Sequence, residues 1–86
     1  MPTISRFYGI IIRMFFDEHA PPHFHAEYGD STAQIAIQTL QVLAGGLPRR
    51  AQALVLEWAA LHRVELQEDW DLCQKQQQPK KIAPLD

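Results

Sequence analysis

His23 to Ile37 reads HFHAEYGDSTAQIAI, and the alternation on either side of its Gly29-Asp30 pair decides the fold. Glycine takes the positive φ that a two-residue hairpin loop requires, so Gly29-Asp30 is expected to turn one strand back on the next. Pairing Tyr28 with Ser31 then sets Ala26 opposite Ala33, Phe24 opposite Ile35 and His25 opposite Gln34. Apolar side chains meet apolar ones on one face and polar meet polar on the other, as a sheet buried on one side demands. The second strand of the hairpin is read as Ser31 to Gln38, with Ala33, Ile35 and Ile37 inward.

Upstream, the β-branched and aromatic run YGIIIRMFF predicts a strand over Tyr8 to Phe16, with Ile10, Ile12, Met14 and Phe16 on the buried face. Arg13 falls on the other face with Ile11 and Phe15. Pro21 and Pro22 lack the amide hydrogens of a central strand, so DEHAPP is a connection. Downstream, Gln41 to Ala44 is a candidate short strand before the Gly45-Gly46 break. Pro48 suits a helix start, and Leu54, Val55, Trp58, Leu61, His62, Leu66, Trp70 and Cys73 follow at helical spacing. The spacing fits one long helix or two joined near His62 to Glu65. Pro79 ends the polar run Gln74 to Gln78, and KKIAPLD is expected to be an extended tail with Ile82 and Leu85 packed down. The predicted class is α+β: an antiparallel meander of three to four strands with one face covered by C-terminal helices. Residues 1–46 form the sheet region, 47–78 the helical region and 79–86 the tail of one domain.

With 86 residues, one core is the expectation, and a chain this short buries only about 60–65% of its unfolded surface. Hydrophobic residues make up 47% and charged residues 21%, which excludes the disordered class. The formal charge of −2 argues against a general nucleic-acid binder, which presents a basic face; a specific nucleic-acid substrate stays open. The apolar run Gly9 to Ile12 is too short to span a bilayer at about 20 residues per helix. A single cysteine, Cys73, and an N-terminus without a signal-peptide pattern lead to an expected cytoplasmic location and no membrane role.

Chemistry is concentrated in His19 to Tyr28, HAPPHFHAEY. Side chains two apart on a strand project from one side, so His23, His25 and Glu27 form a row, and two histidines with a carboxylate can hold zinc or ferrous iron. His19, just across the prolines, is the further candidate ligand. A solvent-facing strand also needs polar residues of some kind, and histidine serves there without any chemistry. Arg13 shares the polar face, where its fixed charge disfavours a cation and favours a phosphate or carboxylate. The expectation is therefore that no cofactor is required, zinc or another divalent metal being the alternative. Were the face catalytic, His23 or His25 would act as general acid/base, with Arg13 stabilising a phosphate. Arg49 and Arg50, in a first helical turn whose dipole repels cations, are candidates with Arg13 for holding an anion.

MPTISRF, HAPPHFHAEYG, GGLPRRA, EWAALHR and the closing KKIAPL together resemble a family of small bacterial proteins known as a domain of unknown function, number forty-one sixty. The resemblance covers nearly the whole chain. It implies that His19, Pro21, Pro22, His23, His25, Glu27 and Tyr28 belong to the family's hallmark segment, and it implies no activity. Members resemble one half of a two-gene unit similar to toxin–antitoxin pairs, which implies a protein partner encoded nearby. Two functions follow as expectations. The first is a small protein-binding module acting through a sheet edge or the histidine face; the second is a histidine-dependent phosphodiesterase or ribonuclease-like toxin, with or without a metal.

Overall fold

The hairpin forms in the expected register: in a computed structural model that describes residues 2–86, β3 (His23–Tyr28) pairs antiparallel with β4 (Ser31–Ala36), setting Tyr28 opposite Ser31, Ala26 opposite Ala33 and His25 opposite Gln34. Met1, which begins the MPTISRF segment and the sheet region, lies outside the described residues. Ile37 is buried as expected, but the strand stops at Ala36. Three more strands complete the sheet. β1 (Thr3–Phe7), β2 (Ile10–Arg13) and β5 (Val42–Gly45) extend it in the order β1-β2-β3-β4-β5, every neighbouring pair antiparallel.

The meander thus has five strands rather than three or four, and the addition is β1. Tyr8 and Gly9, expected to begin a strand, instead form the turn from β1 to β2 with φ of 51° and 80°. Both central residues at positive φ match the right-handed twist of the strands they join. Two features hide β1 in the sequence. Tyrosine is an uncommon turn residue, and Ile4 and Phe7 are both buried although they differ in parity. A register irregularity between Thr3 and Ser5 reconciles them, since a bulge turns one extra side chain to the same face. β2 also ends earlier than expected, at Arg13; Met14 still reaches the core, whereas Phe16 is 41% exposed in the connection rather than inward.

At the far edge, Gly45 belongs to β5, which therefore runs one residue past the expected Ala44. Its φ is +70°, and a Cβ there would lie 2.2 Å from the Thr32 carbonyl oxygen, so only glycine allows β5 to approach β4 this closely.

Two helices cover one face. α1 (Arg49–Leu61) and α2 (Arg63–Gln74) meet at His62, which has φ −125° and belongs to neither helix. Its N–H donates to the Ala59 carbonyl (3.1 Å), while its own carbonyl accepts from the Leu66 N–H (2.9 Å). Pro48 caps α1 rather than forming its first turn. Leu61, expected on the buried stripe, is 67% exposed, because α1 buries the side that carries Ala51, Val55, Trp58 and Ala59 and Leu61 lies off it. Ala51, Val55, Trp58, Leu66, Trp70 and Cys73 pack instead on Ile10, Ile12, Phe24, Ala26, Ala33 and Ile35. Trp58 centres this core, with its ring 5.3 Å from Phe7 and 6.0 Å from Phe24 between centroids. A large apolar side chain buried this fully contributes about 1.5–3 kcal/mol relative to exposure.

The tail lies extended and is packed down as expected. Lys80 N–H donates to Asp69 Oδ1 (2.9 Å), Ile82 N–H to the Ile4 carbonyl (2.8 Å), and Trp58 Nε1–H to the Ala83 carbonyl (2.8 Å). Ile82 is buried and Leu85 packs against the core. Among the described residues no helix is long and apolar enough to cross a membrane.

Candidate functional site

The alternation of β3 turns Phe24 and Ala26 into the core and leaves His25 and Glu27 on the face away from the helices. Arg13 on β2 and Gln34 on β4 are the cross-strand neighbours of His25. Across the sheet this gives an in-register row Arg13, His25, Gln34, Ala44, with neighbouring strands about 4.8 Å apart. The connection between β2 and β3 folds back to His25 in that row. It contains a cis Ala20–Pro21 peptide.

Glu18 on this connection is the carboxylate that reaches the histidines. The C-terminal end of α2 sets its place: Gln74 Nε2–H donates to the Glu18 carbonyl (2.9 Å) and Gln76 Nε2–H to Asp17 Oδ2 (2.8 Å). From there the Glu18 side chain hydrogen-bonds His25 Nε2, and its Oε1 lies 3.6 Å from His23 Nε2. One ligand atom from each of Glu18, His23 and His25 lies within 4.8 Å of the others.

His23 is held most tightly of the three. It is only 6% exposed, lies at the mouth of the core with its ring centroid 5.2 Å from Trp70, and stands 5.3 Å from His25. Its Nδ1 is 2.8 Å from the Pro21 carbonyl oxygen. A carbonyl only accepts, so Nδ1 carries a proton, and in the neutral imidazole Nε2 presents a lone pair. That Nε2 is buried without a hydrogen-bond partner among the described residues. The 3.6 Å to Glu18 is too long for a hydrogen bond, so the two atoms face each other across a gap. Phe15 packs edge-on against His25 (4.5 Å) and steadies the second imidazole.

The other residues singled out in the sequence lie elsewhere. His19 is exposed and lines an open cavity of about 300 Å³ beside the cluster, outside the ligand group. Glu27 faces Arg13, whose Nε is 3.0 Å from Glu27 Oε2. The Arg13 N–H is not aimed at that oxygen, so the contact is an ion pair rather than a hydrogen bond. Arg13 thus stands beside His25 with its charge balanced. Arg49 and Arg50 sit exposed at the start of α1, and Arg50 lines a different cavity of about 260 Å³ with Tyr8 and Tyr28.

Sequence reasoning missed Glu18. Strand periodicity orders the residues of β3 but is silent about which of Asp17, Glu18 and His19 folds back, since that choice is made by Gln74 and Gln76, more than 50 residues away. His62, placed by its spacing on the helical stripe, holds Glu65 Oε1 through Nδ1 (2.6 Å). The Cys73 thiol is buried, and burial, with the nearby Asp69 charge second, pushes it up to about 11, which keeps it protonated and unreactive at neutral pH.

No curated protein and no solved structure matches the chain. A family model does match over residues 9–71, a span that takes in the whole histidine hairpin, β2 to β5, α1 and most of α2. The chain therefore belongs to the family described as Domain of unknown function (DUF4160).

Proposed function

We propose that the chain is a divalent-metal-binding protein whose centre is Glu18, His23 and His25. The observation that carries this reading is His23 Nε2, a buried lone pair without a protein partner that faces a carboxylate. Such an atom costs about 1–3 kcal/mol if nothing answers it, and a metal ion answers it directly. The carbonyl bond at Nδ1 is what orients metal-binding imidazoles and fixes their tautomer. Two imidazoles and a carboxylate suit zinc or ferrous iron and leave a coordination position open for water or a ligand. An ion held by Glu18, His23 and His25 would supply Lewis-acid, hydrolytic chemistry, with the histidines as its ligands rather than as the acid and base of a metal-free reaction.

The protein-partner reading is supported by a separate observation. β5 is the edge of the sheet, and its Val42 and Leu43 are 37% and 42% exposed, so an extended segment of another protein can add as a sixth strand there. Leu43 also lines the 300 Å³ cavity, which sets that edge beside the metal centre.

Zinc competition against a chromophoric chelator tests the metal reading. Near-stoichiometric binding at micromolar zinc is expected, lost in His23→Ala and Glu18→Ala and retained in His19→Ala and Glu27→Gln. Binding that survives His23→Ala in a folded protein removes the proposal.

A further inference from the structure

The geometry points to a monoanionic oxygen ligand with a small apolar body as what the metal-loaded centre takes up, with Gln34 orienting it. This rests on the metal reading above and extends it to the ligand.

Charge sets the first constraint. Glu18 is the only carboxylate in the ligand group, and imidazoles bind a metal neutral, so a divalent ion leaves the centre with one net positive charge. Glu27 does not cancel it, because Glu27 is paired with Arg13. A single negative charge therefore completes the site, and a doubly charged ligand overshoots it.

The walls set the second. Glu18 and His23 open on the 300 Å³ cavity, whose other lining residues are His19, Gln34 and three apolar ones, Ala20, Pro21 and Leu43. That volume is at the small end of ligand pockets. A ligand with its charged oxygen on the metal would lay an apolar body of a few carbons against these side chains.

Gln34 supplies the directional contact. It is the cross-strand partner of His25. It is also the one residue shared by the cavity that holds Glu18 and His23 and the smaller depression that holds His25. Its amide can donate to one oxygen of a ligand whose other oxygen is on the metal. Carboxylates and phosphodiesters both meet these conditions, each with two oxygens sharing one negative charge. A phosphomonoester, close to doubly charged at neutral pH, does not.

Cobalt(II) in place of zinc makes both steps visible in one sample of the full chain. Loading is read from the growth of the visible cobalt bands, and ligand uptake from their shift. Isobutyrate and dimethyl phosphate are expected to shift the bands saturably, and whichever binds tighter identifies the source; neutral isobutyramide has no effect, and phenyl phosphate at about pH 8 binds more weakly than either. Gln34→Leu should weaken the monoanions about tenfold while leaving cobalt affinity unchanged, the loss expected for one hydrogen bond to a charged group. Gln34→Glu should weaken them further by repulsion. Cobalt that loads normally but ignores both monoanions overturns the inference alone, as does a Gln34→Leu protein that binds them as tightly as before. Failure of cobalt to load overturns the metal reading, and this inference with it.

Discussion

Two buried polar side chains, His23 and Asp69, show how residue-level chemistry divides this small protein. His23 is buried with its Nε2 facing the Glu18 carboxylate across 3.6 Å, whereas Asp69 is buried with its Oδ1 occupied by the Lys80 N–H and its Oδ2 unpartnered. Burial is the main cause raising the Asp69 carboxyl above 3.8, the Glu68 and Glu65 charges add to it, and the Lys80 N–H bond and charge oppose it. A carboxyl whose folded pKa is raised holds its proton better in the folded state. Its contribution is thus most favourable below 3.8 and is lost as pH rises through the raised value. Asp69→Asn keeps the oxygen that accepts from Lys80 and removes the ionisation. Its melting temperature relative to the parent should therefore be higher at pH 7 than near pH 4, and a difference independent of pH would show that folding does not raise the Asp69 carboxyl. The burial of both residues was only partly legible in the sequence. Trp70 and Cys73 marked the apolar stripe, but Asp69 lies beside it, and nothing local says that the tail returns to cover it.

Elements were legible where a single period governed them. The hairpin of β3 and β4 was readable to the exact register because two constraints agreed: glycine at the turn, and matching faces on both strands. β1 was not readable, because its turn uses tyrosine and its inward residues break period two. The helical stripe was right through Trp58 and resumed at Leu66, while Leu61 failed because it lies off the side of α1 that Ala51, Val55, Trp58 and Ala59 bury. Two substitutions test these accounts in opposite directions. Tyr8→Asn suits the positive φ better and should stabilise the fold by about 0.5–1 kcal/mol in chemical denaturation. Gly45→Ala should destabilise it by more than about 1 kcal/mol, since the new Cβ meets the Thr32 carbonyl and the backbone there is left-handed. A neutral Gly45→Ala would mean that β5 does not hold this close approach in solution, and the exposed edge described above would then be placed wrongly.

At the scale of the whole molecule, the α2 end and the β2–β3 connection form one unit, although half the chain separates them. The sequence shows the two histidines of the proposed centre because they share a strand, but the placement of Glu18 depends on where α2 stops, and helix ends are set by the packing of the entire stripe. Gln74 ends α2, and Gln76 follows with φ +59°, turning its side chain toward Asp17. The two glutamines are thus the outer support of Glu18, holding the backbone on which the carboxylate swings. Supports of this kind typically change metal affinity by about 10–100-fold when removed. Gln74→Ala with Gln76→Ala should accordingly weaken zinc binding about tenfold. Because both residues are exposed, the same pair should shift stability by no more than about 0.5 kcal/mol each. Measured together, affinity and melting temperature separate this positioning role from a general loosening of the fold. Equal loss of both would mean that the glutamines merely hold α2 down, and unchanged zinc affinity would mean that the β2–β3 connection keeps Glu18 in place without help from the helix.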